Sequence, residues 1–322
     1  MSRIIPIFIP HLGCPHDCVF CNQKRIAGTA CAPTPSEVRS IVAKGLSVSP
    51  GAQVAFYGGS FTAIETALQD EYLAAARDAA SIRVSTRGDA VDEKTVTRLV
   101  NAGVRVVELG AQSMNDEVLK ASGRGHTAED TYRAAQCVTA GGMSLVLQMM
   151  VGLPGDTRER AIATARTIAE LAPDAVRIYP TVVVRDTALA DMLEDGRYSP
   201  LGIDEAISLC AEILEVFDNA KIPVIRLGLN PTHELEGSVV AGPYHPAFGQ
   251  MVRARMYLEK AKKLLHGYPE DVPITLYVNP KEVSNMAGHR ADNRRALAPR
   301  KIKILPNDTV NVGDIIIERQ KL

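Results

Sequence analysis

The sequence has no tryptophan, and aromatic residues make up only 5% of its 322 residues. The core must therefore consist mainly of Ala, Val, Ile and Leu. No run of apolar residues reaches the ~18 that a membrane-spanning helix needs. No small-residue cleavage site follows the apolar start of the chain, as a secretory signal peptide would require. We therefore expect a cytoplasmic protein without a membrane segment.

The chain also has almost no excess of either charge. Its net charge is −1 at pH 7, which gives no reason to expect a nucleic-acid partner. One region departs from this balance, because Met251 to Lys303 contains twelve Lys and Arg against five Asp and Glu. This region could bind phosphates, or it could be a solvated helix face followed by a basic loop.

What the sequence does contain is an alternation of short β-branched runs with longer helical patterns. Strands that alternate with helices imply right-handed βαβ units and a parallel sheet. The number of repeats favours an α/β fold, a partial (β/α)6 TIM-like barrel with its active site at the carboxyl ends of the strands. A doubly wound open sheet is the alternative, although no G-x-G-x-x-G follows the first strand. The predicted strands are Ile4–Ile9, Gln53–Tyr57, Ile82–Ser85, Val104–Leu109, Leu145–Met150, Ala175–Tyr179 and Val224–Leu227.

Several helix ends carry capping signals. Thr34-Pro-Ser-Glu37 and Thr127-Ala-Glu-Asp130 each place Thr three residues before an acidic residue, and Asp156-Thr-Arg-Glu159 is similar. Gly103 and Gly141 fit helix ends that need a left-handed residue.

The pattern changes after about Pro243. A helix is predicted from about Pro246 to His266, and strands follow at Ile274–Val278, Lys301–Leu305 and Val310–Glu318. We expect residues 1–242 to form the barrel and residues 243–322 to form a small C-terminal α+β extension.

Three cysteines lie close together in the loop after the first predicted strand. The run Cys14-Pro-His-Asp-Cys18-Val-Phe-Cys21 has the spacing C-x3-C-x2-C. In the reducing cytosol, clustered thiols indicate metal ligands or catalytic groups rather than disulfides. Three thiolates could each ligate a different iron of a 4Fe–4S cube and leave the fourth iron open. The alternatives are a zinc site with His11 or His16, a complete cluster with Cys31, and buried structural thiols.

This spacing, with the aromatic Phe20 before the last cysteine, resembles the radical S-adenosylmethionine (SAM) superfamily. The resemblance implies a partial barrel, a 4Fe–4S cluster held by Cys14, Cys18 and Cys21, and SAM as a cofactor. It implies reductive cleavage of SAM to a 5′-deoxyadenosyl radical, which abstracts hydrogen from a substrate held close by and shielded from water. A reductase, flavodoxin or ferredoxin is expected to donate the electron.

Further candidate residues lie at the ends of the later strands. Two adjacent glycines after the second strand allow a close backbone approach, and they resemble the superfamily's Gly-Gly-Glu segment with Ser60 in place of Glu. Glu108 lies in an apolar strand and needs a partner, for which Arg87 or another cation near the cluster is a candidate. Each candidate also has a plain structural interpretation as a turn, core or surface residue. The predicted SAM-binding residues are Gly58, Gly59, Thr86, Arg87, Glu108, Gln112, Gly152 and Pro154, and the predicted substrate-facing residues are Tyr179 and Arg185.

Several segments over about residues 85–230 are similar to the Elongator catalytic subunit (elongator complex protein 3). They are Glu108 to Ser113, Arg124 to Asp130, Met149 to Gly155, and Arg177 through Pro200. This resemblance implies modification of the wobble uridine of tRNA, with tRNA or another RNA bound through the basic C-terminal region. That family also carries an acetyltransferase domain, and the roughly 75 residues after residue 245 are fewer than such a core needs.

Two other functions remain open from the sequence. Gly110-Ala-Gln-Ser113 is shared with oxygen-independent coproporphyrinogen oxidase, so the substrate could be a small anionic metabolite. Arg185 and the arginines of residues 290–300 could then bind its carboxylates. The third hypothesis is a non-enzymatic iron–sulfur or zinc protein.

Overall fold

The strands of the barrel follow the predicted order. The structure is a computed structural model, which describes residues 3–22, 31–298 and 300–319. Its strands are β1 (Ile4–Phe8), β2 (Gln53–Tyr57), β3 (Ile82–Thr86), β4 (Val104–Gln112), β5 (Ser144–Val151), β6 (Ala175–Pro180), β7 (Val183–Val184), β8 (Val224–Leu227), β9 (Val239–Ala241), β10 (Ile274–Val278), β11 (Ile302–Pro306) and β12 (Ile316–Arg319).

Helices lie between most of these strands. In the described residues they are α1 (Pro35–Val48), α2 (Thr66–Ala75), α3 (Glu93–Asn101), α4 (Asp116–Ala121), α5 (Ala128–Ala140), α6 (Arg158–Glu170), α7 (Ala188–Glu194), α8 (Ile203–Asn219), α9 (His233–Glu236), α10 (Phe248–Leu265), α11 (Val283–Ala287) and α12 (Asp292–Ala296). Short 3-10 turns occur at Phe61–Ala63, Gly88–Ala90, Pro280–Glu282 and His289–Ala291.

Seven strands form one parallel sheet with the order β1-β2-β3-β4-β5-β6-β8. The strands β1 and β8 lie at its two edges, so the predicted partial barrel is confirmed. β7 and β9 form a two-stranded antiparallel ribbon that the sequence analysis missed. Both strands are very short, and a two-residue strand gives no periodicity to detect.

The two faces of the large sheet differ in chemistry. Because side chains alternate along a strand, each strand gives one set of residues to each face. One face carries apolar residues such as Phe56, Leu109 and Leu147, which lie in the main buried cluster. The opposite face, inside the partial barrel, carries polar residues that include Glu108 and Arg177. This polar interior is where a small molecule or a substrate group can bind.

Most of the predicted caps are confirmed. Thr34 and Thr127 form full capping boxes with Glu37 and Asp130. The prediction of a cap at Asp156 was wrong by one residue, because Thr157 is the residue that caps α6. The prediction for residue 141 was also wrong. Gly141 has φ −74°, and it is Gly142, with φ +70°, that adopts the left-handed conformation.

The C-terminal region is a helix followed by a small mixed sheet. α10 starts two residues after the predicted point, and the sheet has the order β11-β10-β12. The last strand was placed too early, since β12 begins at Ile316 rather than Val310. Apolar residues of α10 and β10 belong to the same buried cluster as the barrel, and the boundary at residues 242/243 stays a prediction. None of the helices in the described ranges combines the length and apolar character that crossing a bilayer requires.

Candidate active site at the carboxyl edge of the sheet

The cysteine loop is held on the end of β2 by backbone hydrogen bonds. Ile9 donates to the carbonyl of Tyr57 (2.8 Å), His11 donates to that of Gly58 (3.0 Å), and Ser60 donates to that of Leu12 (2.9 Å). These bonds continue the β1–β2 pairing beyond the strands. The loop that carries the cysteines is therefore fixed at the carboxyl edge of the sheet, where an active site is expected.

The loop and the Gly58-Gly59 segment approach each other so closely that side chains are excluded. A Cβ at Gly59 would lie 2.6 Å from the carbonyl oxygen of Ile9 and even nearer to that of Leu12. On the other side, a Cβ at Gly13 would clash with the carbonyl of Ser60. Gly59 is thus required by the cysteine loop itself. Its predicted contact with SAM remains a prediction.

The three cysteines differ in exposure and neighbours. Cys18 is buried, whereas Cys14 and Cys21 are partly exposed. The Sγ of Cys14 lies 3.6 Å from the Oγ of Ser60, the residue that replaces Glu in the Gly-Gly-Glu pattern. No group of three or more His, Cys, Asp and Glu side chains in the described ranges is arranged around a single metal ion. A cube spreads its ligands over different irons, so the ligand role of the cysteines stays a prediction.

Arg124 is a site residue to which sequence analysis assigned no role. Its Nη1 lies 3.5 Å from the Sγ of Cys18, and its Nη2 donates to the carbonyl of Gly110 (2.6 Å). The residue is buried, and its Nε has no partner among the described residues. The only signal in the sequence was Arg124-Gly-His, which the resemblance included without a function.

Unsatisfied polar atoms concentrate beside Arg124. Within the described chain, eight buried side-chain nitrogen and oxygen atoms lack a hydrogen-bond partner. Six of them belong to Arg87, Gln112, Arg124, His126 and Thr131. Buried polar groups without a partner mark the place of an ordered water or a ligand. Together with three cysteine thiols in the adjacent loop, this donor set fits an iron–sulfur cluster with a polar cosubstrate beside it.

The surroundings of His126, which lies beside Arg124, keep its imidazole neutral. Burial, reinforced by the positive charges of Arg124 and Arg87, lowers its pKa to about 4. Arg87 is itself buried and donates two hydrogen bonds of 2.9 Å to the carboxylate of Asp89. Thr86, at the end of β3, bonds the hydroxyl of Thr62 at 2.6 Å.

Glu108 forms the centre of a polar network in the barrel interior. Of the two suggested kinds of partner, Arg87 was wrong, because its side chain pairs with Asp89, and the prediction of another cation is confirmed. Glu108 is completely buried and pairs with Arg83 (2.6 Å) and Arg177 (3.0 Å). Both arginines lie on the same face of the sheet as Glu108. The register between the strands determines this arrangement, and the sequence alone does not show the register.

Two neutral side chains complete this network. The Nε2 of Gln148 donates to Glu108 (2.8 Å), and the hydroxyl of Tyr57 lies 3.4 Å from the same carboxylate. Burial, reinforced by the negative charge of Glu108, raises the pKa of Tyr57 to about 12. Burial lowers the pKa of Arg177, but the attraction and hydrogen bond of Glu108, together with Tyr179 and Tyr57, leave the pKa above its ordinary value. Arg177 therefore stays charged.

The turn after β5 is held by a left-handed glycine and by hydrogen bonds to both of its backbone groups. Gly152 adopts φ +77°, its N–H donates to Asp156 (2.9 Å), and its carbonyl accepts from Tyr198 (2.6 Å). Burial raises the pKa of Asp156 to about 6, although the hydrogen bonds from Gly152 and Thr157 oppose the shift. Pro154 is buried in the same turn. The contact of this turn with adenine stays a prediction.

The two predicted substrate-facing residues differ. Tyr179 follows Arg177 on the interior face, and burial raises the pKa of its hydroxyl. Arg185 has an exposed side chain, and its backbone carbonyl accepts from the side chain of Asn22, next to Cys21. Tyr179 thus lies inside the barrel, while Arg185 lies at the surface beside the cysteine loop.

Comparison with known families shows which family the chain belongs to. The model of the radical SAM superfamily matches residues 8–168, and that of the Radical_SAM C-terminal domain matches residues 173–260. The chain belongs to the radical SAM superfamily. The radical SAM protein described here is accordingly an enzyme whose cofactors are a 4Fe–4S cluster and SAM, and the non-enzymatic hypothesis is wrong.

The relatives of this radical SAM enzyme include Elongator-type proteins. A tRNA uridine(34) acetyltransferase of Methanocaldococcus infernus is 31% identical over 178 residues, which are 47% of this chain and 33% of the relative. Elongator complex protein 3 of Bos taurus is 30% identical over 136 residues, 41% of this chain and 25% of the relative. The chain therefore spans between a quarter and a third of the length of these relatives.

A solved structure shows the same fold. The archaeal Elp3 of Methanocaldococcus infernus, with an N-terminal deletion, gives a TM-score of 0.62 at 22% identity. The match covers 81% of this chain and 63% of that protein. The resemblance to the Elongator radical SAM region, drawn from four segments of the sequence, is confirmed.

Proposed function

We propose that this radical SAM enzyme modifies tRNA. The observation that carries the proposal is its similarity to relatives that are named tRNA uridine(34) acetyltransferase and Elongator complex protein 3. The match lies in the radical SAM region, so the shared step is radical chemistry on the nucleoside. The acetyl transfer of those relatives is not part of the proposal.

In this proposal Cys14, Cys18 and Cys21 hold the cluster. When bound, the cluster supplies the electron that cleaves SAM into methionine and a 5′-deoxyadenosyl radical. Arg124 stabilises the negative charge on the sulfur of Cys18, and the polar atoms of Gln112 and Arg124 that lack partners face the place of the cosubstrate. The surrounding interior keeps water away from the reactive carbon, which is the protein's main contribution to such chemistry.

The proposed RNA-binding surface is the basic C-terminal region. A cavity of about 330 Å³ is lined there by Arg294, Arg300 and Lys303, together with Leu297 and Ala298 after α12 and apolar residues of β11. The preceding turn holds Arg290 and Ala291 at φ +51° and +65°. Non-glycine residues in this conformation are strained and occur often at binding sites. Exposed cations around a cleft suit the phosphates of a folded RNA.

The experiment is an anaerobic assay with reconstituted protein, SAM and dithionite in place of the flavodoxin or ferredoxin donor. We expect bulk tRNA to stimulate release of 5′-deoxyadenosine above the uncoupled rate, and deuterium from labelled tRNA to appear in that 5′-deoxyadenosine, as abstraction of a nucleoside hydrogen requires. Binding to tRNA should weaken steeply with salt because phosphate contacts release counterions. Stimulation by small anionic metabolites but not by tRNA would contradict the proposal and favour the coproporphyrinogen-oxidase-like alternative.

A further inference from the structure

Two arginines face each other across adjacent strands inside the barrel. Arg177 of β6 is the register partner of Arg226 of β8. The pairing skips Ile225, so a bulge in β8 turns Arg226 towards the interior. Bulges occur next to active sites, where they re-aim a side chain. Like charges at opposed positions destabilise a sheet, so this pair calls for a compensating anion.

No carboxylate of the described residues supplies that anion. Glu108 is shared between Arg83 and Arg177 and already accepts hydrogen bonds on both oxygens. Among the described residues no carboxylate forms an ion pair with Arg226, whose guanidinium donates to the carbonyl of Gly228 (2.9 Å) and to Asn230 (3.1 Å). The three arginines, Arg83, Arg177 and Arg226, and the single carboxylate of Glu108 therefore have a combined charge of +2 in the interior.

The surroundings of the pair suit an oxyanion. Arg177 and Arg226 are partly exposed, so a ligand in the barrel can reach both. The Nε of Arg177 is buried and has no hydrogen-bond partner in the described chain, so this side chain is not fully satisfied by the protein. Tyr179 lies two residues after Arg177 in β6, on the same face and nearer the carboxyl edge of the sheet. Its hydroxyl interacts electrostatically with Arg177, Glu108 and Arg226. A phenol that keeps its proton is a hydrogen-bond donor to an anion.

We propose that Arg177, Arg226 and Tyr179 bind an oxyanion of the substrate, a phosphate or a carboxylate, inside the barrel. The two guanidiniums neutralise the anion, and the Tyr179 hydroxyl orients it towards the cluster edge. The inference rests on the proposed function for the source of the anion, which would be a phosphodiester next to the modified nucleoside. The site itself would serve a small anionic substrate equally well.

The test is isothermal titration of the unreduced holoenzyme with four probes: uridine, the dinucleoside monophosphate UpU, inorganic phosphate and acetate. We expect UpU and inorganic phosphate to bind the wild type, and Arg226→Gln to weaken both by about tenfold, as expected for one charge-assisted hydrogen bond. Binding of uridine, which has no oxyanion, should not change. Arg39→Gln removes the same charge from the exposed face of α1 and should bind as the wild type does.

A conservative variant separates this role from a structural one. Arg226→Lys, which keeps the positive charge, should bind the probes at an intermediate level. Unchanged affinities in Arg226→Gln, or no binding of any oxyanion to the wild type, would overturn the proposal. If Arg226→Gln weakens the binding of acetate and phosphate but not of UpU, the anion site is supported. Its natural ligand is then a small anionic molecule and not an RNA phosphodiester. Failure of tRNA modification with intact anion binding would refute only the proposed function.

Discussion

The guanidinium of Arg124 lies against the sulfur of Cys18, with Nη1 3.5 Å from Sγ. Cys18 belongs to the loop after β1, and Arg124 follows α4. A thiolate ligand carries negative charge, and a buried guanidinium next to it stabilises that charge strongly. The contact therefore connects the cysteine loop to the buried polar side chains of Gln112, Arg124 and His126 beside β4.

Arg124→Gln should lower cluster occupancy. It removes a buried charge-assisted contact worth ~1.5–3 kcal/mol, so we expect iron and sulfide per chain to fall clearly after anaerobic reconstitution. SAM affinity should fall as well. The matched control Arg39→Gln, on the exposed face of α1, should retain full iron. Equal iron content and SAM affinity in both variants would refute a role for Arg124.

Gly59→Ala should damage the cysteine loop before it affects SAM. The new Cβ would lie 2.6 Å from the carbonyl of Ile9, against backbone that cannot move independently of the loop. We expect iron content to drop. Gly267→Ala is the control, since its Cβ would meet nothing within 4 Å. A variant that keeps its cluster but loses only SAM binding would show that Gly59 contacts the cosubstrate instead.

Glu108→Gln should destabilise the barrel strongly. Removing one partner of a buried ion pair typically costs ~3–5 kcal/mol, because the remaining charges stay buried without compensation. Glu117→Gln breaks the exposed pair with Arg160 and should cost less than ~1 kcal/mol. Urea unfolding of both variants measures the difference. Similar losses would mean that the Glu108 network is not a major source of stability.

Asp156 gives the protein an unusual dependence on pH. Its pKa is raised from 3.8 to about 6, so between these values the folded chain keeps a proton that the unfolded chain has lost. Stability from this group is complete below pH 3.8 and is lost as pH rises to about 6, by at most ~3 kcal/mol. Relative to Asp156→Asn, wild-type stability should fall over this range in thermal melts. If the melting temperatures of the wild type and of Asp156→Asn change with pH in the same way, the raised pKa of Asp156 is contradicted.

The sequence was sufficient for the elements whose signal is local. Thr34 and Thr127 were recognised as caps because a capping box spans four residues. The strands of the parallel sheet were recognised from their apolar runs, which are typical of strands buried on both faces. The cysteine spacing is also local, and it carried the family assignment.

The sequence was insufficient where contacts depend on register. Glu108 needed a cation, but only the alignment of β3, β4 and β6 shows that Arg83 and Arg177 reach it while Arg87 does not. The bulge at Ile225, which turns Arg226 inward, has no marker in its own sequence. Arg124 reaches Cys18 only because two loops from distant parts of the chain meet at one edge of the sheet.

The most direct test of the account is EPR spectroscopy of the anaerobically reduced protein with and without SAM. We predict a 4Fe–4S signal in the wild type that changes on addition of SAM, loss of that signal in Cys14→Ala, Cys18→Ala and Cys21→Ala, and full retention in Cys31→Ala. A signal that ignores SAM, or one that survives replacement of Cys18, would contradict a cluster with an open iron held by these three cysteines.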